Sequence, residues 1–225
     1  MNKYINLLDL MIISAILFGP ALYSSFQAVK CEPAENDDPC EFSAKENIYA
    51  LITQAVQLSA AMLYLKLRGV DPFQFKFHIT IRAVLYALLL FSVCGLSMDV
   101  ITSLKCGFHW IPELIKHNIP ILSALQDINL PLALISILNG FYEEFFFLII
   151  WSYADPKYSA AALIIMIVIR VIIHTYQGWT TALVVGIGLG MIHYVLFTTF
   201  CDNLFIYVLS HIISDLFGLS FFNLL

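Results

Sequence analysis

Glu143 and Glu144 stand side by side in the run Asn139-Gly140-Phe141-Tyr142-Glu143-Glu144-Phe145-Phe146-Phe147, well inside an apolar stretch of the 225-residue sequence. Repulsion and desolvation disfavour two charged carboxylates in such surroundings. The arrangement suits a division of labour, with one glutamate acting as a general base while its neighbour keeps a proton or finds a cation. Asn139 precedes Glu143 by one helical turn, close enough to hydrogen-bond it. In the next apolar run Arg170 and His174 are four residues apart, and in the last run His211 and Asp215 repeat that spacing. A spacing of four puts both members of each pair on one helical face. Arg170 could be the cation the glutamates need. Three chemically competent sets thus arise from three nearby apolar runs.

Each set also has a structural reading. The glutamates could form a buried ion pair with Arg170, His174 could cap a last turn, and His211 with Asp215 could lock helices together. The joint occurrence weighs for function. A charged side chain at mid-bilayer costs roughly 2.5 to 3.5 kcal/mol on insertion scales, and such residues usually face the bundle interior and mark a functional path. His193, alone in its run, reads as a satisfied helix or interface histidine, and Gly186 with Gly190 as a small-residue pattern for close helix packing. Phe145, Phe146 and Phe147 read as lipid-facing or packing bulk.

The elements that must carry these residues are membrane helices. Hydrophobic residues make up 60% of the chain and charged ones 12%, about half the charged share of a soluble domain. Lipid cannot hydrogen-bond an exposed backbone, and the apolar runs lack the two-residue alternation of barrel strands. The expected fold is therefore all-α, a polytopic bundle of about seven spans near 5–29, 48–65, 79–101, 130–153, 160–176, 180–199 and 204–225. Residues 1–129 hold the N-terminal helices, a polar outer loop and an interfacial segment at 103–129. Residues 130–225 hold the four-helix core, within one membrane domain. Lys3 and the small residues Ser24 and Ala28 would also suit a cleaved signal in the first segment. The Lys and Arg balance gives weak support to a cytoplasmic N-terminus, which would leave Cys31 and Cys40 able to form a disulfide in an oxidising compartment. The acidic residues concentrate between Glu32 and Glu41 in a solvated loop, and no basic stretch suggests nucleic acid. No internal repeat of fixed period is present.

The three residue sets resemble the motifs of the CAAX-protease and bacteriocin-processing family of intramembrane endopeptidases, which includes the Ras-converting prenyl-protein type. The family's first motif is a glutamate pair with an arginine four positions after the second. Glu143 and Glu144 match the pair, whereas Leu148 stands where arginine is expected. Arg170 and His174, with Tyr176-Gln177-Gly178 after them, are similar to the second motif, and His211 with Asp215 to the third. The resemblance implies a helical bundle in the bacterial inner membrane or the endoplasmic reticulum, acting on a membrane-embedded or prenylated peptide or protein. It implies that Glu143 activates the attacking water with help from His174, that His211 and Asp215 orient or stabilise the oxyanion, and that Glu144 supports the site. Asp215 would then act as a protonated acid or through His211. A divalent metal such as zinc on Glu143, His174 and His211 is a further reading. Two others are a non-catalytic scaffold or immunity-type relative, prompted by Leu148, and a proton-coupled transporter.

Overall fold

The computed structural model describes residues 4–30, 43–106 and 128–220. Cys31 and Cys40, most of the acidic loop and residues 107–127 of the expected interfacial segment lie outside them. Six described helices are long and apolar enough to cross a membrane, joined by a shorter apolar one. They are α1 (Leu7–Lys30), α2 (Ala44–Leu67), α3 (Ile81–Cys106), α4 (Leu130–Ile150), α5 (Ser159–Ile173), α6 (Trp179–Thr199) and the shorter α7 (Leu204–Phe217). No strand occurs among the described residues; the extended contacts are isolated bridges, Ile5 with Ala154 and Lys76 with Asn203. The chain is an all-α, multi-pass membrane bundle.

Local chemistry starts the helices where the sequence changes character. Asn6 and Asp9 cap α1 reciprocally, each side chain accepting the other's backbone N–H at 2.9 to 3.0 Å, which satisfies donors a helix start leaves open. Thr80 accepts from Ala83 N at 3.1 Å before α3, and Asn129 from Leu132 N at 2.9 Å before α4. Asp155 accepts from Lys157 N at 3.0 Å across the turn that leads through Pro156–Tyr158 into α5. Gly178, with φ of +91°, separates His174 and its short turn from α6. A left-handed φ of this kind strains any residue with a Cβ.

The chain divides into two compact units, and helices α2 and α4 each run from one into the other. The first unit comprises Met1–Ser43, Ile52–Phe75 and Tyr142–Asp202. Its core joins Leu10, Ile13, Leu17 and Phe18 of α1 to Ala61 and Leu65 of α2 and the Phe145–Ile150 stretch. The three phenylalanines are packing bulk, not lipid-facing: Phe18 meets Phe146 at 4.8 Å and Phe147 at 5.6 Å between ring centroids, and Phe75 meets Phe145 at 5.8 Å. Tyr142 donates its hydroxyl to the Leu17 carbonyl and lies 3.0 Å from Gln57 Oε1, so α1 is a working part of this unit. Buried Asp9 receives Tyr64 Oη at 2.7 Å and Arg68 Nε at 2.8 Å, tying the start of α1 to the end of α2.

The second unit comprises Ala44–Leu51, Lys76–Phe141 and Asn203–Leu225. Here α3 packs along α7. The Asn203 side chain accepts from His78 N at 2.9 Å and donates to His78 O at 2.8 Å, fixing the entry to α3 against the entry to α7. Gly140 lets α4 approach α7 closely, since a Cβ there would stand 3.1 Å from the Val208 carbonyl oxygen.

Of the six candidate spans, α4 has the largest share of its apolar window inside the protein, 61%. The glutamates thus ride on the helix best shielded from its surroundings. Two helices also widen locally to π geometry, α4 at Phe145–Ile150 and α6 at Val184–Leu189. Such turns often mark functional sites because they shift helical register. The π turn in α6 contains Gly186, whose missing side chain lets α5 lie against it. A Cβ at Gly186 would fall 2.5 Å from Val171 Cγ2 and 2.8 Å from Val171 Cα and N. Backbone atoms cannot yield as a flexible side chain would, so Gly186→Ala should lower stability by about 1 to 3 kcal/mol, the usual range for overpacking. Gly188→Ala, meeting only Val184 Cγ1 at 4.0 Å, should change it by less than about 0.5 kcal/mol. Thermal unfolding of both variants in the same detergent checks the contrast.

Candidate active site

Glu143 and Glu144 close the α-helical part of α4, immediately before its π turn. Successive residues on a helix are turned by about 100°, so the two carboxylates part company. Glu144 is fully buried. Its Oε1 accepts a hydrogen bond from Arg170 Nη2 at 2.8 Å, and its Oε2 faces Nδ1 of His193 at 3.2 Å. Arg170 is also buried, and its guanidinium lies 4.7 Å from the centroid of the Phe147 ring, within the range of a cation–π contact. Gly190 makes room for the arginine stem, since a Cβ there would lie 3.4 Å from Arg170 Cδ.

Glu143 turns toward a different partner. Its Oε2 lies 4.0 Å from His174 Nε2, with both residues buried. His174 ends α5, and its Nδ1 stands 2.8 Å from the Arg170 carbonyl oxygen. A carbonyl can only accept, so Nδ1 carries a proton, and the other ring nitrogen, Nε2, is the one turned toward Glu143. Arg170 therefore serves the site twice. Its guanidinium neutralises Glu144 while its carbonyl sets the tautomer of His174.

In the second unit, Asn139 Nδ2 donates to Asp215 Oδ2 at 3.0 Å, and His211 Nε2 lies 3.5 Å from Asp215 Oδ1. One carboxylate oxygen of Asp215 thus accepts from the Asn139 amide while the other faces the His211 ring. Asn139 spends an amide hydrogen on Asp215, a partner that its spacing to Glu143 does not announce.

The structure gathers Glu143, Glu144, Arg170 and His174 within the first unit, and Asn139, His211 and Asp215 within the second. It adds His193, which sequence reasoning had set aside. The same signal that singled out the other residues, an ionisable side chain inside an apolar run, applies to His193. What a lone histidine lacks in sequence is a neighbour at helical spacing. Leu148 is buried and apolar, and the guanidinium beside Glu144 comes from α5 instead. Among the described residues no three His, Cys, Asp or Glu side chains converge as metal ligands.

No curated protein and no solved structure matches the chain. Residues 126–217, which include all three motif pairs, match the family model for type II CAAX prenyl endopeptidase Rce1-like proteins. The C-terminal region of this multi-pass membrane chain is accordingly similar to the Rce1-like domain of type II CAAX prenyl endopeptidases, the class that its motifs resemble.

Proposed function

We propose that the protein is an intramembrane endopeptidase that hydrolyses a peptide bond of a membrane-embedded or prenylated substrate with a water activated by Glu143. The observation that carries this reading is the facing pair Glu143 and His174 at 4.0 Å. That gap is too long for a direct hydrogen bond but suits one water donating a hydrogen bond to each group. Glu143 takes one of the water's protons as its oxygen bonds to the scissile carbonyl carbon, and the carbonyl π electrons move onto oxygen to form a tetrahedral oxyanion. The oxyanion collapses, the carbon–nitrogen bond breaks, and the proton held by Glu143 passes to the leaving amine. His174, fixed through Nδ1, keeps its Nε2 directed at the water.

Glu144 has a different role in this scheme. Its charge is matched by Arg170, which leaves Glu143 as the glutamate suited to exchange protons. By the order of the motifs, His211 assists the oxyanion, with Asp215 and Asn139 holding it in place. Charge stabilisation of this kind is strong where water is excluded. Replacement of the motif arginine by Leu148 does not tell against activity on this reading, since Glu144 has its cation from Arg170.

Purified protein should cleave at least one of a panel of prenylated and unmodified membrane peptides, with Glu143→Gln reducing the rate by about 100-fold or more and His174→Ala similarly impaired. Equal cleavage by wild type and Glu143→Gln would sink the mechanism. Chelator should leave the wild-type rate unchanged, because Glu143 and His174 operate on water directly; loss of activity restored by a divalent metal would show the opposite. Arg170→Met should destabilise the protein by about 3 to 5 kcal/mol, since it strands a buried carboxylate, and adding Glu144→Gln should recover part of that loss in thermal unfolding. If Arg170→Met leaves both folding and cleavage intact, the assignment of Arg170 as the cation for Glu144 fails.

A further inference from the structure

His193 lies on α6, is only 5% exposed, and meets a carboxylate on another helix. Three helices converge there: α4 brings Glu144, α5 brings Arg170, and α6 brings His193. Gly186 and Gly190 on α6 face Val171 and Arg170 of α5. The absence of side chains at these glycines sets the close approach from which His193 reaches across. We infer that His193 is a positioning residue of the proteolytic site, acting through Glu144 to hold Glu143 in its alignment with His174; the role rests on the protease reading above.

The physical argument concerns rotation of α4. One donor on one carboxylate oxygen leaves that carboxylate free to swing about the contact. Donors from two helices, one on each oxygen, define its plane. Glu144 adjoins Glu143, so whatever fixes the rotation of the helix at Glu144 also fixes the direction of Glu143. The constraint falls where it is needed, because the regular ladder of α4 gives way to a π turn at the next residue, Phe145. A shift of about 1 Å in a catalytic group can cost on the order of a hundredfold in rate.

The contact is made by Nδ1, and this permits a test that separates positioning from packing. The amide nitrogen of an asparagine falls near the Nδ1 position of histidine, whereas that of a glutamine falls nearer Nε2. His193→Phe should lower kcat by about 10- to 100-fold with little change in KM, His193→Asn should restore most of the loss, and His193→Gln should not. Wild-type kcat in His193→Phe, or equal impairment in His193→Asn and His193→Phe, would overturn the role. A double-mutant cycle of His193→Phe with Glu144→Gln in thermal unfolding reads the contact without reference to catalysis. Coupling is expected, and its absence overturns the inference by itself. Coupling in a wild-type protein that cleaves no peptide of the panel instead overturns the protease reading, and the positioning role with it.

Discussion

A carboxylate shut away from water must be neutralised by what surrounds it, and much of the first unit is organised around meeting that demand for Glu144. Its desolvation would be prohibitive alone. Arg170 answers with charge, His193 with a ring nitrogen, and the Phe147 ring lies against the guanidinium in turn. These contacts require three helices to approach closely, which explains glycine at positions 186 and 190. A buried ion pair is a poor source of net stability compared with an apolar core. Its value here lies in direction, because a wrong rotation of α4 would leave both charges buried and unpaired.

Arg170 links this constraint to the chemistry. Through its side chain it satisfies Glu144, and through its carbonyl it selects the proton position on His174. The ring then presents its other nitrogen to Glu143. Adjacent glutamates of identical chemistry thus acquire separate partners from their surroundings alone. Glu144 is held by opposite charge, whereas Glu143 faces the His174 ring at 4.0 Å. The Rce1-like match over residues 126–217 spans the glutamate pair and both histidine motifs.

The helices were legible because their cause is local. Runs of apolar residues about 20 long must satisfy their own backbone in lipid, and Asn6, Thr80, Asn129 and Asp155 cap or turn the chain at points where composition changes. Boundaries shifted modestly: α3 continues to Cys106, beyond the apolar run expected to end near residue 101. The π turns at Phe145–Ile150 and Val184–Leu189 were not legible. One is wholly apolar and the other carries Gly186 and Gly188, compositions that regular membrane helices share.

The sequence by itself determined which segments are helices, which residues share a helical face, and that ionisable groups would be carried into an apolar interior, because each follows from composition and a 3.6-residue period. Only the tertiary structure decided the partnerships. Arg170 goes to Glu144 and His174 to Glu143; Asn139 gives a hydrogen bond to Asp215; His193 joins the buried cluster. Such pairings depend on how closely helices distant in sequence approach one another. That distance is set jointly by glycines, by bulky core side chains such as Phe146, and by the need to leave no buried charge alone.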